Sequence, residues 1–211
     1  MLEPPLDEAD PAFECIGGTF WVRKNDDEVG VRARTRLLEL SALFVGDALH
    51  AVVEPLVANR REGGGCGGRV SLRALDWTVT NYAKRRSVTL LRLDARGAPS
   101  RWFSIHHEYK AWLRVWRRKL FDPFARRSRV FFQGSEDTWV ASTPAQLNFV
   151  YFALEFGILE WVRRNLGEIE KDNNRALRRT KEDKKRKRTA LSAAPPVSVM
   201  IVDRPVRVTW E

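Results

Sequence analysis

A chain of 211 residues that is 44% hydrophobic and carries eight tryptophans holds enough apolar mass for one good core or two small ones, which excludes wholesale disorder. Lysine and arginine number 37 against 27 aspartates and glutamates, a formal net charge of +10, which suits a polyanionic partner or an anionic surface and equally serves solubility. The place of that charge along the chain, rather than its total, carries the functional information.

Cys15 and Cys66 stand alone, with no paired spacing for a metal and no multi-bridge framework, so a reducing compartment is expected. The N-terminus is acidic with early prolines at Pro4 and Pro5, unlike the basic-then-apolar order of a secretory signal. The most apolar window, Leu147 to Val162, includes Asn148, Glu155 and Gly157 and is shorter than the ~20 residues that span a bilayer. The expectation is a soluble intracellular protein with no membrane partner.

Residues 1–28 carry eight acidic side chains against Arg23 and Lys24, and residues 1–17 read as an acidic tail. GTFWVRK and VGVRARTRLLEL, on either side of an NDDE turn, predict a hairpin, because Val29, Val31, Ala33, Thr35 and Leu37 alternate with Arg32, Arg34 and Arg36. SALFVGDALHAVVEPLVANR is ambiguous between helix and strand, and Pro55 argues against a helix interior. Residues 18–62 are thus expected to be a β-rich subregion, followed by a glycine-rich loop at 63–69 and an α+β core domain at 70–211.

Within that core, β-branched enrichment predicts strands near 70–82, 87–93 and 101–105. In HHEYKAWLRVWRRKLF, residues Tyr109, Trp112, Leu113, Trp116 and Leu120 recur at i, i+3, i+4, i+7 and i+11, one helical stripe with Lys110, Arg114, Arg117 and Arg118 on the other side. FDPF ends that helix, since a residue before proline leaves the α region. RSRVFFQ and TWVAS, around GSED, predict a second hairpin. Thr143-Pro144-Ala145-Gln146 has the form of a capping box, with Gln146 expected to close it, and opens a helix running to about Asn165 that is apolar on nearly every side. A basic helical excursion at 168–192 follows, and VSVMIV and VRVTW beyond it predict closing strands. The expected fold is α+β: a mainly antiparallel sheet packed around a central apolar helix, with an added basic helical segment.

Catalytic options are few. His50 reads as a core or boundary residue, and the adjacent His106 and His107 point about 100° apart on a helix and cannot chelate one metal as an i, i+4 pair does. Asp76, Asp94, Glu108, Asp122, Glu136 and Asp137 could converge on a magnesium ion, as a nuclease requires, but no spacing directs them together. Phosphate-loop, dinucleotide and nucleophile-elbow signatures are absent. No catalytic residue, metal site or cofactor is expected.

Binding remains. Residues 109–132 concentrate Lys110, Arg114, Arg117, Arg118, Lys119, Arg126, Arg127 and Arg129 against Asp122 alone. Guanidinium forks match phosphate oxygens in bidentate fashion and aromatic neighbours can stack on bases, so Lys110, Arg114, Arg117, Arg118, Arg126, Arg127 and Arg129 are the candidate phosphate contacts. Trp112, Trp116, Phe121 and Phe124 read as core beneath them. Lys184, Lys185, Arg186, Lys187 and Arg188 form a second basic run, readable as a phosphate strip, a nuclear import signal or a solvated linker.

The run of motifs resembles a group of largely uncharacterised proteins of nucleocytoplasmic large DNA viruses. There, a Y-K-x-x-L helix leads into F-D-P-F and two arginines, and a Q-L-N-F helix precedes a basic stretch. The counterparts are Tyr109, Lys110 and Leu113; Phe121 through Phe124 with Arg126 and Arg127; and Gln146 through Phe149, over about residues 75–211. The resemblance implies a viral origin and supplies no activity. The expected function is a non-enzymatic nucleic-acid-binding protein, with DNA preferred over RNA as partner, in the host nucleus, the viral factory or the virion. Two alternatives stand beside it: a structural virion or core protein whose basic faces meet acidic viral proteins, and a metal-dependent nuclease.

Overall fold

The computed structural model describes residues 4–5, 10–24, 29–44, 46–58, 69–94, 96–135 and 138–191, the last eight without their side chains. The chain divides into two compact units, residues 1–173 and 174–211. The first holds strands β1 (Phe13–Ile16) and β2 (Phe20–Arg23), and helices α1 (Val31–Leu43), α2 (Asp47–Ala58) and α3 (Leu72–Trp77). A π-helical turn (Thr78–Tyr82) leads to α4 (Ala83–Arg86), strands β3 (Thr89–Leu93) and β4 (Pro99–Ser104), helix α5 (Ile105–Leu120), strands β5 (Val130–Ser135) and β6 (Thr138–Ser142), and helix α6 (Pro144–Glu155). Helix α7 (Ile158–Leu191) begins in the first unit, and its residues from 174 on belong to the second. The architecture is α+β, with every described strand pair antiparallel: one sheet of order β1-β2-β5-β6 and a separate β3-β4 hairpin.

Three readings of the N-terminal half are corrected. The partner of β2 is β1, inside the stretch expected to be an acidic tail, and the turn between them uses Gly17 at φ +62°, where a Cβ would lie 1.9 Å from Ser41 Oγ. Val31 to Leu43 is a helix, not a strand: Ala33, Arg36, Leu37, Leu40 and Ser41 are buried at i, i+3, i+4, i+7 and i+8, whereas Val31 is 81% exposed. Hence the described part of 18–62 is mainly helical, and Pro55 sits inside α2 with Val52 and Leu56 buried on either side of it. The expected strand at 70–82 is also helical. Leu72, Leu75, Val79 and Ala83 make one buried stripe, Ser71 Oγ accepts from Ala74 N, and Thr78 and Thr80 donate to the carbonyls of Ala74 and Asp76, which reconciles a threonine-rich stretch with helix. The glycine-rich loop and the segments VSVMIV and VRVTW lie outside the described residues.

The hairpins at β3-β4 and β5-β6 form where strand alternation placed them. Thr143 caps α6 by accepting from Gln146 N at 3.2 Å. The Gln146 side chain does not complete a capping box; it donates to Pro123 O and accepts from Ser142 Oγ. Helix α6 ends at Glu155, because Gly157 turns left-handed at φ +63° and Phe156 N and Gly157 N bond back to Phe152 O and Leu154 O. Buried at Leu147, Asn148, Phe149, Val150, Phe152 and Ala153, α6 packs against α1, α2 and α5 and is the central apolar helix of the unit. Among the described residues no helix is long and apolar enough to cross a membrane.

Candidate nucleic-acid interface

The basic segment is built on α5 and the turn that follows it. Tyr109, Trp112, Leu113, Trp116 and Leu120 pack against the core, with Trp112 5.3 Å from Phe152 and 5.9 Å from Phe156 between ring centroids. Burying that stripe leaves Lys110, Arg114, Arg117, Arg118 and Lys119 in solvent. At Arg117 the helix is interrupted, φ +55° and ψ 172°, a backbone region that non-glycine residues avoid. Phe121 then dives into the core, 5.4 Å from Phe149 and 5.5 Å from Phe152.

Two sequence motifs lock together at this point. The turn Asp122–Ala125 closes through Ala125 N donating to Asp122 O, and the Asp122 carboxylate accepts from Phe124 N at 2.8 Å. From α6, Gln146 Nε2 donates to Pro123 O at 3.1 Å and Asn148 Nδ2 donates to Leu120 O at 2.7 Å. The Q-L-N-F segment thus holds the end of α5 and the F-D-P-F turn by one backbone carbonyl each, satisfying an orphan carbonyl at the end of α5. Neither role was legible as chemistry in the sequence; the co-occurrence of two polar-apolar tetrapeptides was the available signal. Past the turn, Arg126 and Arg127 are exposed and Arg129 is half-buried. A cavity of about 300 Å³ opens beside it, lined by Phe124, Arg126, Arg129 and Gln146 over a floor that includes Leu56 and Leu72. Phe124, expected in the core, is 47% exposed; Pro123 and Phe121 take the buried places of the motif.

Among the described residues, seven arginines outside this segment are ion-paired. Arg34, Arg36, Arg85, Arg92, Arg101, Arg163 and Arg164 all pair with carboxylates. Lys110, Arg114, Arg117, Arg118, Arg126, Arg127 and Arg129 pair with none of the described carboxylates. Arg118 comes nearest to it, standing within electrostatic reach of Asp76 and Asp122. Asp76 is pushed up to about 6, first by burial and then by the Asp122 charge, with Arg118 opposing. Tyr109, in the same cluster, is raised by burial and by the two carboxylates. Lys184 to Arg188 lie on α7 in the second unit, with side chains outside the described residues.

The remaining candidate groups have structural partners. Asp94 Oδ1 accepts from Arg96 N and Ala98 N, Glu108 pairs with Arg101, and Asp122 holds its turn. Among the described residues no three of His, Cys, Asp and Glu gather to hold a metal ion; Glu136 and Asp137 lie outside them. His50, expected at the core or its boundary, is exposed on α2. His106 Nδ1 lies 2.9 Å from Val79 O in the first turn of α5, tying that helix to the π-helical turn.

Residues 66–198, a span that contains both motifs and the basic run, match the model of a family of unknown function, DUF7197. An uncharacterized protein of Acanthamoeba polyphaga mimivirus is 32% identical over 120 residues, which cover 54% of this chain and 46% of the relative. The chain therefore spans about half the length of that curated relative. No solved structure matches. Because the matched span exceeds half of the chain, the protein belongs to the DUF7197 family of unknown function, in keeping with the uncharacterised giant-virus family that its motifs resemble.

Proposed function

We propose that this protein binds nucleic acid without catalysing a reaction, holding phosphates with Lys110, Arg114, Arg117, Arg118, Arg126, Arg127 and Arg129. The observation that carries the reading is the local density of cations that pair with none of the described carboxylates. Eight cations, Lys119 included, gather on one helix-turn segment against Asp122 alone, and none of them is ion-paired among the described residues, a local density that neither solubility nor internal ion pairing requires. Unpaired guanidinium groups are free to exchange condensed counterions for phosphate, the main source of sequence-independent affinity. DNA is the favoured polymer, given the giant-virus relative, and Lys184 to Arg188 add non-specific affinity.

Fluorescence anisotropy with a labelled DNA duplex across a salt series tests this. With ~6 to 10 phosphate contacts, affinity should fall by ~10³ to 10⁵ between 50 and 200 mM salt. A salt slope near zero rejects the reading.

A further inference from the structure

We infer that the cavity beside the F-D-P-F turn receives one unpaired nucleotide, its phosphate between Arg126 and Arg129 and its base against Phe124. The inference rests on the nucleic-acid reading of the same face and narrows it from phosphate contact to capture of a single unstacked residue.

Three features of the cavity point this way. Its volume of about 300 Å³ falls at the lower end of small-molecule pockets, roughly 300 to 1,000 Å³, room for one nucleotide and not for a base pair. Its chemistry is divided: Arg126 and Arg129 supply positive charge that pairs with no described carboxylate, while Leu56, Leu72 and Pro123 supply apolar wall. Gln146, the other polar side chain there, is already satisfied at both ends by Pro123 O and Ser142 Oγ, so the cationic groups are what remains to recognise a ligand. Phe124 is 47% exposed beside Phe121 at 2%. An exposed phenylalanine on the cavity lining leaves apolar aromatic surface for a base to cover.

The site is also pre-formed. Asp122 fixes the turn through Phe124 N, Ala125 N returns to Asp122 O, and Gln146 anchors Pro123, so little ordering remains to be done on binding. Why unpaired? In a duplex both faces of each base are covered by its neighbours, and only a base taken out of the stack can lie on an aromatic ring.

The test uses the full chain, a labelled oligothymidylate, a blunt duplex of equal length, and thymidine monophosphate with inorganic phosphate as its control. One stacked base is worth roughly 5- to 100-fold in affinity, so the single strand should bind tighter than the duplex by that order. The ratio should fall toward one in Phe124→Ala and persist in Phe124→Tyr, with circular dichroism melts confirming that both variants fold. Thymidine monophosphate should bind saturably where inorganic phosphate at the same concentration does not. Equal single-strand and duplex affinity, or a ratio untouched by Phe124→Ala, overturns the pocket; a steep salt slope on the duplex would then leave the phosphate-binding reading standing. No affinity for either polymer would reject the broader reading and, with it, capture of a nucleotide from a strand.

Discussion

Arg36 shows how a charged residue becomes part of a core. It is 7% exposed, with its Nε donating to Asn148 Oδ1 at 2.9 Å, its guanidinium 4.4 Å from the Trp116 ring centroid and 5.2 Å from that of Tyr151, and Glu39 as its ion-pair partner. A buried cation is tolerable only when its donors are used and its charge is balanced. Asn148, fully buried, meets that condition and also donates to Leu120 O. Asn148→Leu should therefore destabilise by about 3 kcal/mol, since it leaves the buried Arg36 Nε and the Leu120 carbonyl without their hydrogen-bond partners. Arg36→Met combined with Asn148→Leu should recover part of that loss, a coupling that urea unfolding of the two singles and the double would measure. Asp76 makes the second prediction at this scale. Its carboxyl titrates near 6 in the folded chain and near 3.8 when unfolded, so its contribution is fully present below pH 3.8 and is lost as the pH rises through 6. Asp76→Asn should stabilise the protein by about 1–2 kcal/mol at pH 8, after allowance for partial solvent exposure, and by little at pH 4. Thermal melts at the two pH values check the sign.

At the level of elements, two backbone positions separate stability from binding. Arg117 occupies a conformation that suits glycine, and Arg117→Gly should raise stability by about 1 kcal/mol while weakening nucleic-acid binding through the loss of one cation. A gain in melting temperature together with a shallower salt slope would establish both halves; a variant that loses stability contradicts the strain. Gly157 has open space where a Cβ would be, so Gly157→Ala should cost only the left-handed backbone penalty, about 1–2 kcal/mol by chemical denaturation. That glycine is also where the sequence reading of one continuous helix from 143 to 165 failed, although a glycine before a fresh apolar run is itself a stop signal. The α1 error is more instructive. Alternation of Val29, Val31, Ala33, Thr35 and Leu37 fits a strand, and the competing helical stripe was obscured because Arg36 and Ser41, both buried, do not look like core residues. By contrast, α5 and the β5-β6 hairpin were readable, since their own apolar periodicity coincides with the face they bury.

For the whole molecule, the paired and unpaired arginines make opposite predictions. Neutralising Arg126 and Arg127 to glutamine should reduce the salt slope by about 2 and leave the melting temperature nearly unchanged, because each contributes about one phosphate contact and makes no ion pair among the described residues. Neutralising Arg92 and Arg163, which pair with Glu155 and with Glu54 and Glu160, should lower stability modestly without altering the slope. Loss of binding from the second pair of substitutions, or none from the first, would contradict the division of labour. The amino-acid sequence by itself determined the α+β class, the capped apolar helix at Thr143, the amphipathic helix carrying Lys110 to Arg118 and the concentration of charge around F-D-P-F, because these follow from local periodicity, capping chemistry and composition. Only the tertiary structure decided which arginines are neutralised, that Arg36 is core and Phe124 is not, and that Gln146 and Asn148 grip the basic turn. Those outcomes depend on contacts between residues far apart in the chain, such as the pairing of residue 36 with residue 148, and no local pattern encodes which distant partner will satisfy a buried donor.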